Sequence, residues 1–516
     1  MLKKITISCL AVSSLGIVTK NVEAKTKLQP NVIFIYADDL GRGMLSYEGQ
    51  KIVKTPNIDQ LAKTGMQFSN AYGCMLCAPA RASLLTGYHD CHRDKWIITN
   101  AGIYKKISTG ELTPTQVEAK LDSALSREPK LDTYLPQVFK RAGYYTAEIG
   151  KLEWGFAASH KQMKEHGWDY YFGYLDHVRC HGYYPPFLFE NQNLVSIPGN
   201  TRVDCGKTFE PESEQSYKDR WDMTGKAVYS QDIFLEKILS VIRSHKNKPF
   251  FLFHPTQLPH GPVSIPQIAP EFAHNDSLTS IEKEYASMVK KLDDHVGVIV
   301  NELKKQGLYE NTIIIFSADN GHEIYYPQKG RCEKPYRNMV TGELFNNITD
   351  KFYSELGGDV FNGNDGMAGL KRSNWDGAVK VPLIVSWPGK IQAKKSTSLV
   401  AMYDWVNTFA DLLRVSVGTP NDGKSFLSNL IDKSRTDSTV NQYVVYSSYM
   451  GPALVTADGW KLRTFVNKNI FQLYYLPEDY REENELSQKY PEKVESLKKI
   501  LMNECSGDFR NGVCTE

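Results

Sequence analysis

Short runs of apolar residues recur along the chain, and each is the length of a β-strand. Asn31 to Tyr36, Phe250 to His254, Asn311 to Ser317 and Val379 to Trp387 are nearly unbroken by polar positions, the pattern of strands covered on both faces. Tyr144 to Ile149 is another, leading into Gly150-Lys151. Between these runs the period changes to that of a helix. Met288, Leu292, Val296 and Val300 mark one apolar stripe on a long helix over about Ile281 to Lys305. Thr55-Pro56 starts and Gly65 stops a shorter helix, and Leu135 to Ala142 is a third, with Pro136 in its first turn and Gly143 after it. Strands alternating with helices predict an α/β fold with a large, mostly parallel sheet flanked by helices.

A polar stretch from Ser434 to Asn441 precedes a change of pattern. Four short strand-like runs follow (Tyr443 to Ser448, Ala453 to Thr456, Trp460 to Phe465, Phe471 to Leu476), and then a charged helix over Pro491 to Leu501. The predicted division is a main domain over 25–435 and a small α+β C-terminal domain over 436–516.

The first 24 residues read differently. A basic start at Met1 to Lys4, a small or apolar run from Ile5 to Thr19, and Val22-Glu23-Ala24 together predict a secretory signal cleaved near Ala24. The run is too short to span a bilayer. With no long apolar segment after it, the expectation is a periplasmic or secreted protein without stable membrane insertion. Removing the signal takes Lys3, Lys4, Lys20 and Glu23 from 61 basic and 59 acidic residues, leaving 58 of each. A neutral chain with no basic face excludes nucleic acid as a main partner. At 41% hydrophobic and 23% charged residues, disordered and coiled-coil classes are also excluded. Eight cysteines remain after Cys9, and an oxidising compartment would allow Cys505 and Cys514 to pair.

In sheets of this kind ligands sit beyond the carboxyl ends of the strands. Those ends carry Asp38-Asp39, Lys151, Pro259-His260 and Asp319-Asn320. Three carboxylates and an amide oxygen form a hard donor set suited to Ca²⁺ or Mg²⁺. Cys77-Ala-Pro-Ala-Arg81 adds a thiol at a predicted helix start, with Pro79 in the first turn and Gly87 beyond the end.

That last segment resembles the signature of the formylglycine-dependent sulfatases, within the alkaline-phosphatase-like superfamily, and other segments match in order. Asp38-Asp39 resembles the first metal pair and Asp319-Asn320-Gly321 the second. Gly150-Lys151, Pro259-His260 and Lys371 through Trp375-Asp376-Gly377 to Val381-Pro382 resemble the remaining active-site segments, and Trp460-Lys461 with Leu473-Tyr474 the C-terminal domain. The resemblance implies that a maturation enzyme, engaged transiently, oxidises Cys77 to formylglycine. It further implies that Asp38, Asp39, Asp319, Asn320 and the modified Cys77 hold one Ca²⁺. Arg81 would hold the modified side chain, Lys151 and Lys371 would neutralise sulfate oxygens, and His260 would protonate the leaving alcohol. The implied activity is sulfate ester hydrolysis by an enzyme similar to bacterial carbohydrate sulfatases.

One position departs from the pattern. Where the family has Gly-Lys-x-His, this chain has Gly150-Lys151-Leu152-Glu153. Glu153 either takes the histidine's role or supports the site from behind. Aromatic residues crowd between Trp154 and Arg202, and rings with polar neighbours suit a sugar face. His177 and Arg179 are candidates for contacts to sugar hydroxyls, His181 serves either substrate or structure, and Arg331, Glu333 and Arg337 are candidates from the long polar stretch 323–369. The expected substrate is a terminal sulfated hexose, such as galactose in a mucin-type glycan. Two alternatives remain: a phosphodiesterase or phosphonate hydrolase of the same superfamily, and a catalytically silent glycan-binding protein.

Overall fold

A computed structural model describes residues 29–209, 212–435 and 437–514, so the expected signal lies outside the described residues. A ten-stranded sheet spans the main part. In chain order its strands are β1 (Asn31–Ala37), β2 (Met66–Tyr72), β3 (Tyr145–Lys151), β4 (Tyr170–Tyr174), β5 (Phe187–Glu190), β6 (Asn193–Ser196), β7 (Phe250–Pro255), β8 (Thr312–Ala318), β9 (Leu383–Ser386) and β10 (Lys394–Ala401). In space the order is β10-β2-β9-β8-β1-β7-β3-β4-β5-β6. The central run β8-β1-β7-β3-β4 is parallel throughout, and β9 lies antiparallel between β2 and β8. Every residue of β1, β7 and β8 is buried. Covering a Val, Ile or Phe side chain contributes roughly 1.5–3 kcal/mol, so these three strands anchor the core. The expected α/β architecture is present.

Parallel pairing puts the carboxyl ends of β8, β1, β7 and β3 on one edge, which is how Asp319, Asp38, His260 and Lys151 come to face one another. Beside Lys151 the strands approach unusually closely. Gly150 has φ +139°, and a Cβ there would lie 2.1 Å from the Pro255 carbonyl oxygen of β7. Only glycine fits that approach.

The run Val379 to Trp387 is not one strand, contrary to expectation. Asp376–Val379 is a helical turn, Lys380 makes only an isolated bridge with Tyr72, and the strand proper begins at Leu383, after Pro382, which has no N–H to give to a ladder. Beyond the main sheet, β11 (Tyr443–Tyr446), β12 (Ala453–Thr456), β13 (Trp460–Phe465) and β14 (Ile470–Tyr475) form an antiparallel sheet, backed by the helix Pro491–Glu504. Lys461 of β13 ties this sheet to the helical turn Asp376–Val379 that precedes β9. Its buried ammonium lies 2.8 Å from Asp376 and 2.7 Å from Glu482. No helix among the described residues is long and apolar enough to cross a membrane. None of the eight described cysteines forms a disulfide. Cys505 packs beside Cys91 and Cys514 in the cluster with Cys77, so the expected Cys505–Cys514 pair is not formed.

Candidate active site

The helix Cys77–Thr86 follows β2, and each of its residues is buried. Leu76, extended, caps its start, and Gly87, at φ +81°, ends it. Cys77 therefore stands at a helix N-terminus, where unpaired N–H groups and the dipole favour an anion. One turn on, the buried Arg81 guanidinium donates to Asp319 Oδ2 (3.0 Å) and lies 3.7 Å from Asp38 Oδ2.

Charge in this buried cluster is closely matched. Lys151 Nζ donates to Asp38 Oδ2 (2.7 Å), and Lys371 Nζ to Asp39 Oδ2 (2.8 Å). Burial works against the Asp38 carboxylate, but Lys151, His260 and Arg81 outweigh it and hold its pKa well below the usual range. Asp39 is balanced the same way, burial being overcome chiefly by Lys371, and falls to about 2. Asp319 goes the other way, to about 7, through burial and the charge of Asp38. Its Oδ1 caps the backbone N–H groups of Asp39 (3.1 Å) and Asn320 (2.9 Å). Burial lowers both lysines, yet their carboxylate partners raise them further, so both are ammonium ions at neutral pH.

Two oxygens in the cluster have no partner. Asp38 Oδ1 and Asn320 Oδ1 are buried without a hydrogen bond, while Asn320 Nδ2 donates to Asp39 Oδ1 (2.7 Å) and so fixes which amide atom is free. Orphaned buried acceptors among carboxylates are what an oxygen-seeking cation would satisfy. The donor set fits Ca²⁺. Asp38, Asp39 and His260 also converge closely enough to share an ion. His260 Nε2 lies 3.4 Å from both Lys371 Nζ and Asp39 Oδ2, and its Nδ1 pairs with the Gly261 carbonyl (2.6 Å).

Next to the cluster lies a cavity of about 250 Å³ whose lining includes Cys77, His181, His260, Tyr325, Lys371 and Arg372. Burial pushes His260 down to about 4, against the pull of Asp39 and Asp38. Two of the lining side chains, Tyr325 and Arg372, were not singled out for the site from sequence, and His181 was left there between substrate and structure. Tyr325 donates its hydroxyl to Asp39 Oδ2. His181 stacks on His260, with ring centroids 4.2 Å apart and planes 11° apart, and its Nε2 is buried without a partner. Arg372 is held by Glu323 at 2.9 Å.

Other candidates lie elsewhere. Glu153 turns away from the carboxylate cluster, because its backbone is left-handed at φ +58°. Its carboxylate accepts from His166 Nδ1 (2.9 Å) and Trp168 Nε1 (2.6 Å), a supporting position behind the site. His177 is wholly buried. Its Nε2 pairs with the Leu152 carbonyl (3.2 Å), and it does not line the cavity. Arg179 lies 3.8 Å over the Phe187 ring, donates to the Phe187 carbonyl (2.8 Å), and borders a different cavity. Arg331, Glu333 and Arg337 pair within their own loop or with the helix Ser280–Lys305 and its approach, outside the cavity lining.

Residues 30–415 match the sulfatase family model. This chain belongs to the sulfatase family. The sulfatase also matches, over residues 368–506, the C-terminal model of N-sulphoglucosamine sulphohydrolase. It is 28% identical to an N-acetylgalactosamine-6-O-sulfatase of Bacteroides thetaiotaomicron, over 92% of each chain. It is 27% identical to the N-acetylgalactosamine-6-sulfatase of Rattus norvegicus, over 80% of this chain and 68% of the relative. Among solved structures, a Bacteroides thetaiotaomicron protein described with the metabolism of multiple glycosaminoglycans superposes with a TM-score of 0.66 at 24% identity. The alignment covers 93% of this chain and all of that one, and shows the shared fold. The sulfatase is a sulfuric ester hydrolase.

Proposed function

We propose that this sulfatase removes sulfate from a terminal galacto-configured hexose of a glycan, with Cys77 in its formylglycine form and one Ca²⁺ bound. The observation that carries the reading is the placement of Cys77. It lies at a helix N-terminus, in the wall of a cavity shared with Lys371 and His260, beside a hard-oxygen set with two unsatisfied acceptors. The relatives named for N-acetylgalactosamine 6-sulfate support the galacto configuration and the 6-position. An export signal, if cleaved near Ala24, would bring the enzyme to extracellular glycans.

Asp38, Asp39, Asp319 and Asn320 would hold the cation, which supplies charge for the sulfate oxygens and acidifies the nucleophile. The chain's own residues do the rest. Lys151 and Lys371 are ammonium ions when the anion arrives, and their charge on its oxygens is the interaction that usually contributes most to such catalysis. Arg81, fixed by Asp319, orients the Cys77 side chain. His260 donates Nδ1–H to the Gly261 carbonyl, which leaves Nε2 toward the cavity and the Lys371 ammonium. Lys371 Nζ–H faces this Nε2, and as the ester bond breaks the proton crosses from the ammonium through His260 Nε2 to the leaving oxygen, leaving Lys371 as a neutral amine that regains its proton from water.

The test has two parts. Peptide mass spectrometry of Cys77 from the native host should find the aldehyde. Chelation with EGTA should then abolish sulfate release from 6-sulfated N-acetylgalactosamine, and calcium should restore it better than zinc. Faster turnover of an aryl phosphodiester would replace the sulfatase assignment with the phosphodiesterase alternative. Unmodified thiol throughout would favour a silent glycan-binding protein.

A further inference from the structure

A second, larger cavity of about 520 Å³ adjoins the first, and the two share Leu76 and Phe156 in their walls. Leu76 is the residue before Cys77, so the second cavity begins one residue from the candidate nucleophile. Its remaining lining comes mainly from the segment 93–101, with Arg93, Trp96, Ile98, Thr99 and Asn100, and from Cys514.

This wall is built rather than loose. Thr99 Oγ1 donates to the Ala157 carbonyl and accepts from the Ala157 N–H (2.7 Å). Trp154 Nε1 donates to the Ile97 carbonyl (3.3 Å). Arg93 donates to the Val513 carbonyl and contacts Cys514 Sγ at 3.1 Å, closing the far side. Asn100 is exposed at the rim and Phe156 half-buried at the junction. An aromatic face at a junction, an amide at the rim and a guanidinium beyond it form the lining that a pyranose ring uses.

We infer that this cavity binds the sugar next to the sulfated one, so that the enzyme is built for a sulfated oligosaccharide rather than a monosaccharide. The inference rests on the Cys77 cavity receiving the sulfate ester. With that end placed, a glycosidic neighbour leaves past Phe156 into the second cavity. Contacts remote from sulfur then hold the ester in line for attack.

The experiment uses the full-length, formylglycine-bearing, calcium-loaded enzyme. It compares a 6-sulfated monosaccharide with a trisaccharide ending in the same sulfated sugar. The expected ratio of kcat/KM, trisaccharide over monosaccharide, is roughly 10-fold or more. Ala101→Trp, which places a ring in the second cavity from an exposed position, should bring that ratio to about 1, and Phe156→Ala should lower it. A wild-type ratio near 1, or a ratio that Ala101→Trp leaves unmoved, overturns the inference. Calorimetric binding of the desulfated trisaccharide separates this from the reading beneath it. Binding that Ala101→Trp abolishes, without sulfate release from either substrate, would uphold the second cavity and sink the sulfatase reading of the first. Absence of binding would sink the cavity alone if the monosaccharide still turns over.

Discussion

Replacing Glu153 should damage stability and spare chemistry. Its carboxylate is buried and satisfies two buried donors, His166 Nδ1 and Trp168 Nε1. His166 itself packs against Tyr134 and Trp154, at centroid distances of 4.1 and 4.5 Å, which holds its ring in place beside Glu153. A buried donor left unpaired costs about 1–3 kcal/mol, so Glu153→Ala should cost about 2–6 kcal/mol. Glu153→Gly should be milder by about 1–2 kcal/mol, because glycine accepts the left-handed backbone without the Cβ penalty. Glu153→Gln keeps one acceptor for Trp168 and should fall between wild type and Ala. Urea unfolding measures these differences, and kcat/KM on the folded fraction, normalised to aldehyde content, should stay within about 3-fold of wild type. General acid–base catalysis contributes roughly 10²–10⁴-fold. A loss of that size with an unchanged unfolding midpoint would refute the supporting role and return Glu153 to the reaction.

Two further outcomes follow from geometry. Tyr325→Phe removes the hydroxyl that holds Asp39 and faces the cavity, and kcat/KM should fall about 5- to 150-fold, for a bond of roughly 1–3 kcal/mol, with the unfolding midpoint little changed; unchanged kinetics would show that Lys371 and Asn320 suffice to position Asp39. Lys461→Met takes the shared ammonium from two buried carboxylates, leaving Asp376 with Lys380 (3.5 Å) and the Tyr72 hydroxyl (3.1 Å) and Glu482 without a cation among the described residues, and should destabilise the protein by about 3–5 kcal/mol, read by denaturation; a loss under about 1 kcal/mol would mean that Glu482 takes up a proton at little cost.

Much of this was legible because the decisive strands are pure in character. β1, β7 and β8 are buried on both faces and therefore apolar throughout, and the acidic residues that end β1 and β8 mark where each strand meets the site. Pro79 and Gly87 fixed the ends of the Cys77 helix in the same way. β2 was missed because only alternate residues of Met-Gln-Phe-Ser-Asn are buried, and such a run shows no continuous apolar signal. The direction of Glu153 was not readable, since it depends on one left-handed residue that no periodicity announces. His177 and Arg179 were picked for polarity among aromatics, and burial turned both inward. Tyr325 and His181 reach the cavity from irregular segments, where proximity to Cys77 is a property of the fold and not of spacing in the chain.

The grip of Arg93 on the carbonyl of Val513 has a practical side. Val513 also stands in a bridge with Ser448, and the N–H of Cys514 donates to the Ser448 carbonyl at 2.8 Å. Val513 and Cys514 are thus stitched into the wall of the larger cavity, which Cys514 itself lines. A purification tag fused after Cys514 would start beside the place where a glycan chain is inferred to lie, so comparing fusions at either end of the chain on long and short substrates is a prudent control before any kinetic constant is assigned to the enzyme itself.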